Sequence, residues 1–569
     1  MARPERTSWA IVAAVVLLAV GTGGAIKAAL VGADYMYDLE QPHPALASVT
    51  PILAVDPPPR RARRVVVVII DGLRLDASYG LPYLDELRRA GVDSRATTHY
   101  PTYSRPNYVT ILTGVPPIAS GVRTNLYSST VALDSIMDRA HEAKLTSAYA
   151  SDYDALPRLF LRDVSTRHSE EDDEEEDTHE EERERTPTAE AARKRIESPM
   201  VGAFDDARYS PWPGGFVSAA RGVIAANDDL VVMLIGVVDA AGHRYGGASD
   251  EYREAAASAD RALRRALAGL DLEQDAVIVV ADHGHTDRGG HGGLEPDVLE
   301  VPLIIAGAGV KVGADPKDAR LIDVAPTAAA LLGVPPPGHG VGRTLTEALA
   351  FEGPDLARIE AADVTRIARN DAIVDASINT WRADVLEARA WRLALVIVLA
   401  AIAIASAWYL RKLGGLRLDW HVLTVGVPAF FIVYYTAIGV LGQRFSPSAI
   451  PARGHISAEL AKYGAAGALV HLLAGLRALR GRKTLAERLA AANGIAWTGL
   501  LLAMVAAGVM WAFFPPPYVE VPGPKTLVLI PAVEIAVACY AGGVALTLVV
   551  EVIVFFARLW HHGAPVPKS

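Results

Sequence analysis

The chain has 569 residues, a formal net charge of −10 and a hydrophobic content of 51%. This length exceeds one ordinary domain, and a mean hydropathy of +0.22 beside a long acidic run indicates that the apolar residues are segregated into membrane-like segments. The single cysteine, Cys539, excludes an intrachain disulfide, and no basic stripe suited to a nucleic acid polymer is visible in the sequence.

The N-terminal apolar run extends from about Ser8 to Ile26, close to the roughly 20 residues that span a bilayer. This run is long for the apolar part of a signal peptide. We therefore expect residues 1–34 to form a retained membrane anchor, with a cleaved signal peptide as the alternative. Residues 35–61 include the Pro-rich stretch at 56–59 and are predicted to form a linker.

Three apolar runs are predicted to be buried parallel strands, and each leads into a carboxylate. The runs and the carboxylates that follow them are Arg64–Ile70 with Asp71, Asp229–Val238 with Asp239, and Ala276–Ala281 with Asp282. Open α/β sheets place their sites at the carboxyl ends of strands, so we expect the three carboxylates to converge. A further strand at 301–306 and helices at 82–90, 251–270 and from 321 to a cap at Gly333 complete the predicted α/β domain.

Three histidines accompany these carboxylates. His243 lies four residues after Asp239, His283 directly follows Asp282, and His291 lies at the far end of a Gly-rich loop. Asp and His side chains are ligands for Zn and similar ions, and six of them are enough for two divalent metals. Zn is our first expectation, with Mn and Mg as alternatives. Each residue alone could instead be a helix cap or an ordinary loop histidine. Independent caps would not, however, give three buried strands that each end in Asp with a histidine nearby.

A candidate nucleophile lies between the first two of these strands. Pro106 suits the first turn of a helix, which places Ser104 at the helix N-terminus. Free N–H groups and the helix dipole favour an anion there, and a phosphoryl group is the obvious one. Ser104 would be a weak nucleophile until a metal binds its oxygen. We expect Asn107, one turn on, to donate to a phosphoryl oxygen and Arg105 to be a further phosphate contact.

An acidic run occupies 168–185, inside a predicted insert at 165–198. It has no apolar periodicity and cannot bury a core, so we predict a disordered, solvated insertion. A metal-buffering tract is the alternative.

The sequence changes character at Trp391. Five apolar runs follow, at about 392–410, 419–441, 458–477, 494–514 and 526–557. With the N-terminal anchor they predict six transmembrane helices, and the clusters of Arg and Lys between them fall on one side if every run spans once. We therefore expect a catalytic domain at 62–385 on the non-cytoplasmic side and a membrane domain at 386–569 with five transmembrane helices.

Glu534 lies within the last apolar run, and an intramembrane carboxylate is a functional candidate by default. The alternatives are a position near the outer interface or a pair with Lys462. His471, in an earlier run, is read as a structural residue that faces a neighbouring helix.

The motifs together resemble the alkaline phosphatase superfamily. The ordered set is Asp71-Gly72, Thr102-x-Ser104-Arg105-Pro106-Asn107, Asp239-x-x-Gly242-His243, Asp282-His283-Gly284 and His291-Gly292, with Glu300–Leu303 and Asp323–Thr327 matching the later core. The resemblance covers about 62–345 and is greatest to the type I phosphodiesterase/nucleotide pyrophosphatase branch and its relatives, the GPI ethanolamine phosphate transferases. It implies an alkaline-phosphatase-like α/β fold, with a mixed, mostly parallel sheet flanked by helices.

The resemblance also implies how the metals are bound. One metal would have the ligands Asp239, His243 and His291, and the other would have Asp71, Asp282, His283 and the nucleophile Ser104. It further implies a phosphoryl-serine or phosphoethanolamine-serine intermediate with inversion at each step. His285 departs from the pattern, because it stands where the transferases usually have methionine. An extra ligand, a hydrogen bond to a ligand and a benign substitution are all compatible with this position.

Three functions are carried forward. The first is a membrane-bound transferase that moves phosphoethanolamine, or a similar phospho-alcohol, from a phospholipid donor to a glycan or lipid acceptor. The second is a membrane-anchored phosphodiesterase or nucleotide pyrophosphatase, and the third is a non-catalytic membrane scaffold. A sulfatase is disfavoured because its nucleophile is a modified Cys or Ser in a Cys/Ser-x-Pro-x-Arg context, and Ser104-Arg105-Pro106-Asn107-Tyr108 does not follow that full pattern. The oligomeric state is not specified by the sequence.

Overall fold

The computed structural model describes residues 3–41, 43–53, 56–153, 155–160, 206–209, 213–440, 446–449 and 456–562. The predicted acidic insert at 165–198 lies outside the described residues.

The centre of the domain is a seven-stranded sheet. Its strands are β1 (Arg64–Ile70), β2 (Gly91–Thr97), β3 (Ser147–Ser151), β4 (Asp206–Tyr209), β5 (Leu230–Ile235), β6 (Asp275–Val280) and β7 (Glu300–Gly307). The order is β2-β7-β6-β1-β5-β3-β4, and every pairing is parallel except those of β7. Strands β1, β5 and β6 are buried along their whole length, as expected for strands covered by helices on both faces. The predicted mixed, mostly parallel sheet is confirmed.

Helices flank this sheet. They are α2 (Leu75–Ser78), α3 (Pro82–Ala90), α4 (Ser104–Thr113), α5 (Pro117–Ser120), α6 (Ile136–Glu142), α7 (Ala155–Phe160), α8 (Pro213–Ala226), α9 (Val237–Tyr245), α10 (Asp250–Ala266), α11 (Pro296–Leu299) and α12 (Val324–Leu332). Local signals set several ends: α3 has Pro82 at its start, Ser249 caps α10 by accepting from Tyr252 N, and α12 ends at Gly333 with φ +71°.

One predicted boundary is wrong. The apolar run expected to be a strand from Asp229 to Val238 ends as β5 at Ile235, and Val237 begins helix α9. Short apolar runs do not distinguish a strand from a helix, and Gly236 separates the two elements here. Asp239 therefore lies in the first turn of a helix, on the same face as His243 one turn later.

Helices of the membrane region follow the sheet domain. They are α13 (Gly353–Lys412), α14 (Val427–Val440), α15 (Ile456–Leu479), α16 (Leu485–Phe513) and α17 (Pro524–His562), with α1 (Arg3–Asp38) preceding the domain. Within the described residues, three segments are long and apolar enough to cross a membrane: Arg6–Gly32 in α1, the apolar part of α13, and α16. The chain is therefore a membrane protein. Helices α14, α15 and α17 lie in the other predicted runs, and six spans with an outward domain stay predictions.

The two regions are joined in two ways. Helix α13 has 60 residues and runs through the predicted domain boundary at 385/386 without a break. The predicted linker also packs on the sheet domain: Leu46 is fully buried in its core, and the Ile52 N–H donates to the Gly338 carbonyl. Helix α1 packs against α16 and α17 through Ala10, Ala14 and Leu17, so it is part of the helical bundle.

Candidate active site

The first group of ligand-type atoms lies where β1 and β6 end side by side. His283 Nε2 is 3.4 Å from Asp71 Oδ1 and 3.3 Å from Asp282 Oδ2, and all three side chains are buried. The Gly72 N–H donates to the second oxygen of Asp282, and the Tyr108 hydroxyl donates to the second oxygen of Asp71. Asp71 Oδ1 and Asp282 Oδ2 have no hydrogen-bond donor in the described part of the chain. Two buried carboxylate oxygens are thus left for a cation.

The second group uses the first turns of α9 and the end of the Gly-rich loop. His243 Nε2 is 3.4 Å from Asp239 Oδ1 and 3.1 Å from His291 Nε2. His291 also stacks on His283, with ring centroids 3.7 Å apart and an interplanar angle of 12°. The two groups therefore share one pocket, and Asp239 Oδ1 is 4.0 Å from His283 Nε2.

The tautomers of two histidines follow from their outer hydrogen bonds. His291 Nδ1 is 2.8 Å from the Thr102 carbonyl, and His283 Nδ1 is 3.1 Å from the Gly284 carbonyl. A carbonyl only accepts, so Nδ1 carries the proton in both rings and Nε2 presents a lone pair to the pocket. Orientation by a backbone carbonyl is the usual arrangement for a metal-binding histidine.

His285 belongs to the same pocket in a different role. Its Nδ1 accepts the Gly290 N–H at 3.2 Å, so Nε2 carries the proton and donates to Asp239 Oδ1 at 2.8 Å. His285 is fully buried. Of the three alternatives for His285, the structure therefore shows a hydrogen bond to a candidate ligand. In this tautomer neither ring nitrogen has a free lone pair for a metal.

Two glycines are required by close contacts. A Cβ on Gly242 would lie 2.4 Å from the His285 ring, and a Cβ on Gly72 would lie 2.9 Å from the Asp239 backbone, where Gly72 also has φ +70°. These close contacts explain why the Asp239-x-x-Gly242-His243 and Asp71-Gly72 motifs require glycine. A side chain at either position would push the ligand-type residues apart.

Burial and mutual repulsion perturb the pKa values throughout the pocket. Burial, with Asp282 and Asp239 nearby, raises the pKa of Asp71 well above its ordinary value, and burial also raises that of Asp282. Burial opposes ionisation of Asp239, but His243 and the hydrogen bond from His285 hold its pKa well below the usual range. Burial, with His283 and His243 nearby, lowers the pKa of His291 well below normal. Crowded carboxylates beside neutral imidazoles suit a bound cation.

Ser104 lies next to the first group of ligand-type atoms. It is the first residue of α4, and its Oγ is 3.1 Å from His283 Nε2. All seven predicted metal-ligand positions therefore lie in one pocket: Asp71, Ser104, Asp239, His243, Asp282, His283 and His291. Among the described residues, three sets of ligand atoms lie within 4.8 Å of one another: Asp239, His243 and His291; Asp239, His283 and His285; and Asp71, Asp282 and His283.

The neighbours of Ser104 are placed differently from the expectation. Asn107 is fully buried and its amide donates to the carbonyls of His99 and Tyr103, both at 3.2 Å. The Arg105 guanidinium donates to the Tyr127 carbonyl at 2.9 Å. The Arg105 N–H donates to Asn125 Oδ1 at 3.1 Å, and proline has no N–H at 106. The predicted free N–H groups are therefore partly used, because the Asn125 side chain satisfies one of them.

Comparison with known proteins matches this architecture. Residues 65–296 match the family model for type I phosphodiesterase/nucleotide pyrophosphatase. This part of the chain is similar to that family, and it is called the phosphodiesterase domain below. The resemblance inferred from the motifs is confirmed, since the matched range includes every candidate site residue.

Individual relatives match only part of the chain, at low identity. Over 351 residues it is 27% identical to GPI ethanolamine phosphate transferase 1 of Mus musculus, which covers 54% of this chain and 35% of that protein. Over 172 residues it is 29% identical to 2,3-bisphosphoglycerate-independent phosphoglycerate mutase of Synechococcus elongatus, covering 28% and 32% respectively. The solved alkaline phosphatase PafA is similar at 14% identity and a TM-score of 0.38, over 51% of this chain and 99% of that one. The chain thus spans about a third of the length of these curated relatives.

The phosphodiesterase domain is in contact with the membrane helices close to its pocket. Ser446 and Ser448, in the connection between α14 and α15, donate to the two carboxylate oxygens of Glu295 at 2.5 and 2.6 Å. Ser448 Oγ also accepts the Gly293 N–H at 2.8 Å. This contact was missed by sequence reasoning, since the serines lie about 150 residues from Glu295 in the chain and carry no local signal.

Thr102 fixes the other end of the same loop. Its hydroxyl accepts the Gly292 N–H at 2.7 Å and donates to the Gly293 carbonyl at 3.0 Å, and its carbonyl faces His291. Since Thr102 is two residues from Ser104, the histidine loop and the nucleophile segment of the phosphodiesterase domain are held together directly.

Proposed function

We propose that this protein transfers phosphoethanolamine, or a similar phospho-alcohol, from a phospholipid to a hydroxyl group of a glycan or lipid acceptor. The observation that carries the proposal is Ser104 Oγ, 3.1 Å from His283 Nε2 in a pocket lined by two groups of carboxylates and imidazoles. The named relative, a GPI ethanolamine phosphate transferase, supports the group that is transferred. The membrane helices support a lipid donor.

Two divalent metals fit the residues present. The unpaired oxygens of Asp71 and Asp282, with His283 Nε2 and Ser104, would hold one ion, and Asp239, His243 and His291 would hold the other. Nitrogen and oxygen donors in sets of three or four suit Zn, with Mn as a further candidate. When bound, such ions supply charge stabilisation to the nucleophile oxygen and to the phosphoryl oxygens.

The residues of the chain perform two displacements at phosphorus. In the first, Ser104 Oγ bonds to phosphorus and the bond from phosphorus to the diacylglycerol oxygen breaks, so the serine loses its proton and diacylglycerol leaves as the alcohol. In the second, an acceptor hydroxyl bonds to phosphorus and the Ser104 ester breaks, which returns the serine hydroxyl. Each displacement inverts phosphorus, so the two together retain its configuration. Asn107 and Thr102 hold the Ser104 segment in place during both steps.

The test is mass spectrometry of the peptide that contains Ser104. Purified full-length protein is incubated with Zn²⁺ and phosphatidylethanolamine and then acid-quenched. A phosphoethanolamine adduct on Ser104 that is absent from Ser104→Ala is the expected result. A wild-type peptide that stays unmodified, while the protein processes the lipid, would overturn the serine intermediate.

Hydrolysis is the second candidate, and the family model of residues 65–296 favours it by its description. The same pocket would then use water in the second displacement. Ser104-dependent cleavage of soluble phosphodiesters such as nucleotide esters, with neither adduct nor product from phosphatidylethanolamine, would assign the hydrolase. A non-catalytic scaffold requires both assays to be negative and Ser104→Ala to leave the cellular phenotype unchanged.

A further inference from the structure

A group of tyrosines and acidic residues lies where the membrane helices meet the phosphodiesterase domain. Tyr35 near the end of α1 is 1% exposed, and its ring contacts that of Tyr518 edge-on at 5.7 Å between centroids. Leu39, Leu527 and Ile530 pack around the two rings. Glu534 lies on α17 and packs near Gly32, one turn before Tyr35. A Cβ placed on Gly32 would be 3.7 Å from the Cβ of Glu534. We call Tyr35, Asp38, Tyr518 and Glu534 the interface cluster.

Two polar atoms of the interface cluster have no partner. The Tyr35 hydroxyl and Glu534 Oε2 are shielded from solvent, and neither has a hydrogen bond within the described ranges. Glu534 forms no ion pair with any described residue either, so the pair with Lys462 is not seen. A buried carboxylate is costly without a cation or donor, and these two atoms therefore mark a place for a positively charged group.

The two acidic residues contribute to raising the pKa values of the tyrosines. Burial raises the pKa of Tyr518, and repulsion from Glu534 and Asp38 raises it further. Burial also raises the pKa of Tyr35 well above its ordinary value, with smaller contributions from Tyr518, Tyr100 and Glu534. The interface cluster thus combines two acidic side chains with aromatic rings, and those two features together suit an ammonium group.

The interface cluster adjoins the candidate active site through the segment that carries the nucleophile. Tyr100 packs against the cluster, and its hydroxyl donates to the Pro522 carbonyl at 2.7 Å. Three residues later, the Tyr103 ring lies 5.7 Å from the His291 ring, and Tyr103 directly precedes Ser104. A short zwitterionic headgroup has its phosphate and its ammonium only two carbons apart, so adjacent sites are what it requires.

We propose that the interface cluster binds the primary ammonium group of the lipid donor while the donor's phosphate occupies the pocket at Ser104. Glu534 and Asp38 neutralise the charge, the Tyr35 hydroxyl accepts an N–H, and the Tyr518 ring covers the group. The inference rests on the proposed function, because it concerns the donor of that reaction. It assigns headgroup recognition to residues of the membrane helices and their connections, outside the matched domain.

The test compares a donor that has the ammonium with substrates that lack it. Wild type, Glu534→Gln and the control Asp34→Asn are assayed in detergent with Zn²⁺ on phosphatidylethanolamine, phosphatidylglycerol and bis(4-nitrophenyl) phosphate. Asp34 is an exposed carboxylate next to Tyr35. We expect Glu534→Gln to raise KM for phosphatidylethanolamine at least tenfold, to remove the preference over phosphatidylglycerol, and to leave bis(4-nitrophenyl) phosphate cleavage within twofold. Asp34→Asn should match wild type on all three.

The outcomes separate the two proposals. Unchanged preference for phosphatidylethanolamine in Glu534→Gln, or an equal loss on all three substrates, overturns the assignment of the interface cluster. Wild-type protein that cleaves bis(4-nitrophenyl) phosphate but leaves phosphatidylethanolamine intact overturns the proposed donor, and with it the inference. Retained cleavage of bis(4-nitrophenyl) phosphate by the variant also shows that it is folded.

Discussion

Ser448 donates its hydroxyl to Glu295 Oε2 at 2.6 Å, which ties the connection between two membrane helices to the loop that carries His291. Ser448 Oγ also accepts the N–H of Gly293, two residues after His291. Ser448 is 1% exposed, so water cannot replace these bonds. The position of the candidate ligand His291 therefore depends on the membrane region as well as on the sheet.

Ser448→Ala should lower phosphodiesterase turnover. It leaves the Gly293 N–H and one Glu295 oxygen without their partner, at a cost of about 1–3 kcal/mol, and it frees the His291 loop to move. We expect kcat on bis(4-nitrophenyl) phosphate to fall about tenfold or more, with weaker Zn²⁺ binding by titration.

Ser446→Ala is the matched comparison, since it removes one bond to Glu295 but keeps the Gly293 contact. Its loss should be smaller than that of Ser448→Ala. Equal turnover of both variants and wild type would show that the membrane connection does not position the loop.

His285→Ala should weaken metal binding without removing a ligand. The Asp239 carboxylate loses the hydrogen bond from Nε2, and such partners of ligands are typically worth about 10–100-fold in affinity. Zn²⁺ titration with a competing chelator measures this. His285→Met restores bulk but not the hydrogen bond, so a methionine variant with wild-type affinity would mean that His285 only fills space.

The strand ends were predictable because their chemistry is local. A buried apolar run that stops at Asp71 or Asp282 carries both the strand and its functional end, and parallel neighbours then bring those ends together. Asp239 was placed correctly in space but on the wrong element, because Val237 and Val238 are compatible with both a strand and a helix.

The contacts that depend on distant segments were not predictable. Ser448 and His285 have ordinary local sequences, and their roles come from partners far away in the chain or across a loop. Asn107 was assigned a direct phosphate contact, whereas its amide holds the backbone of the preceding segment. The sequence specified which residues gather at the pocket, but not which of them touch substrate and which position the others.

Arg123→Met should detach the membrane region from the phosphodiesterase domain. The Arg123 guanidinium is fully buried and donates to the carbonyls of Leu39, Ile118, Tyr518 and Val519, which belong to three separate segments. Each buried carbonyl that is left without a donor costs about 1–3 kcal/mol. The expected result is a clearly lower thermal midpoint of the detergent-solubilised protein and faster proteolysis near 515–523.

The exposed Arg261→Met is the control for this substitution, because it removes the same side chain where no buried carbonyls depend on it. Equal midpoints for the two variants would contradict a clamping role for Arg123.

The ion pair of His339 and Asp134 predicts a pH-dependent stability. His339 Nδ1 is 2.7 Å from Asp134 Oδ1 and Nε2 is 2.9 Å from the Val49 carbonyl, so each nitrogen has an oxygen acceptor, while the Asp134 backbone nitrogen lies at a longer 3.3 Å from Nδ1. Burial opposes the charge of His339, but the hydrogen bond to Asp134 raises the pKa of His339 above the usual value for histidine. Burial also opposes the charge of Asp134, but the hydrogen bond from His339 lowers the pKa of Asp134 below the usual value for aspartate.

The contribution of the raised His339 pKa is complete below the unfolded value, about 6.5, and is lost as pH rises through the folded value. That of Asp134 is complete above about 3.9 and is lost as pH falls through its lower folded value. The pair should therefore stabilise most between about pH 4 and 6.5. His339→Gln should destabilise the protein by about 1.5–3 kcal/mol at pH 5.5 and by less at pH 9. Thermal midpoints of both proteins across this range measure the difference, and subtraction removes effects of the pocket histidines. A difference that stays constant from pH 5.5 to pH 9 would mean that His339 is neutral in the folded protein.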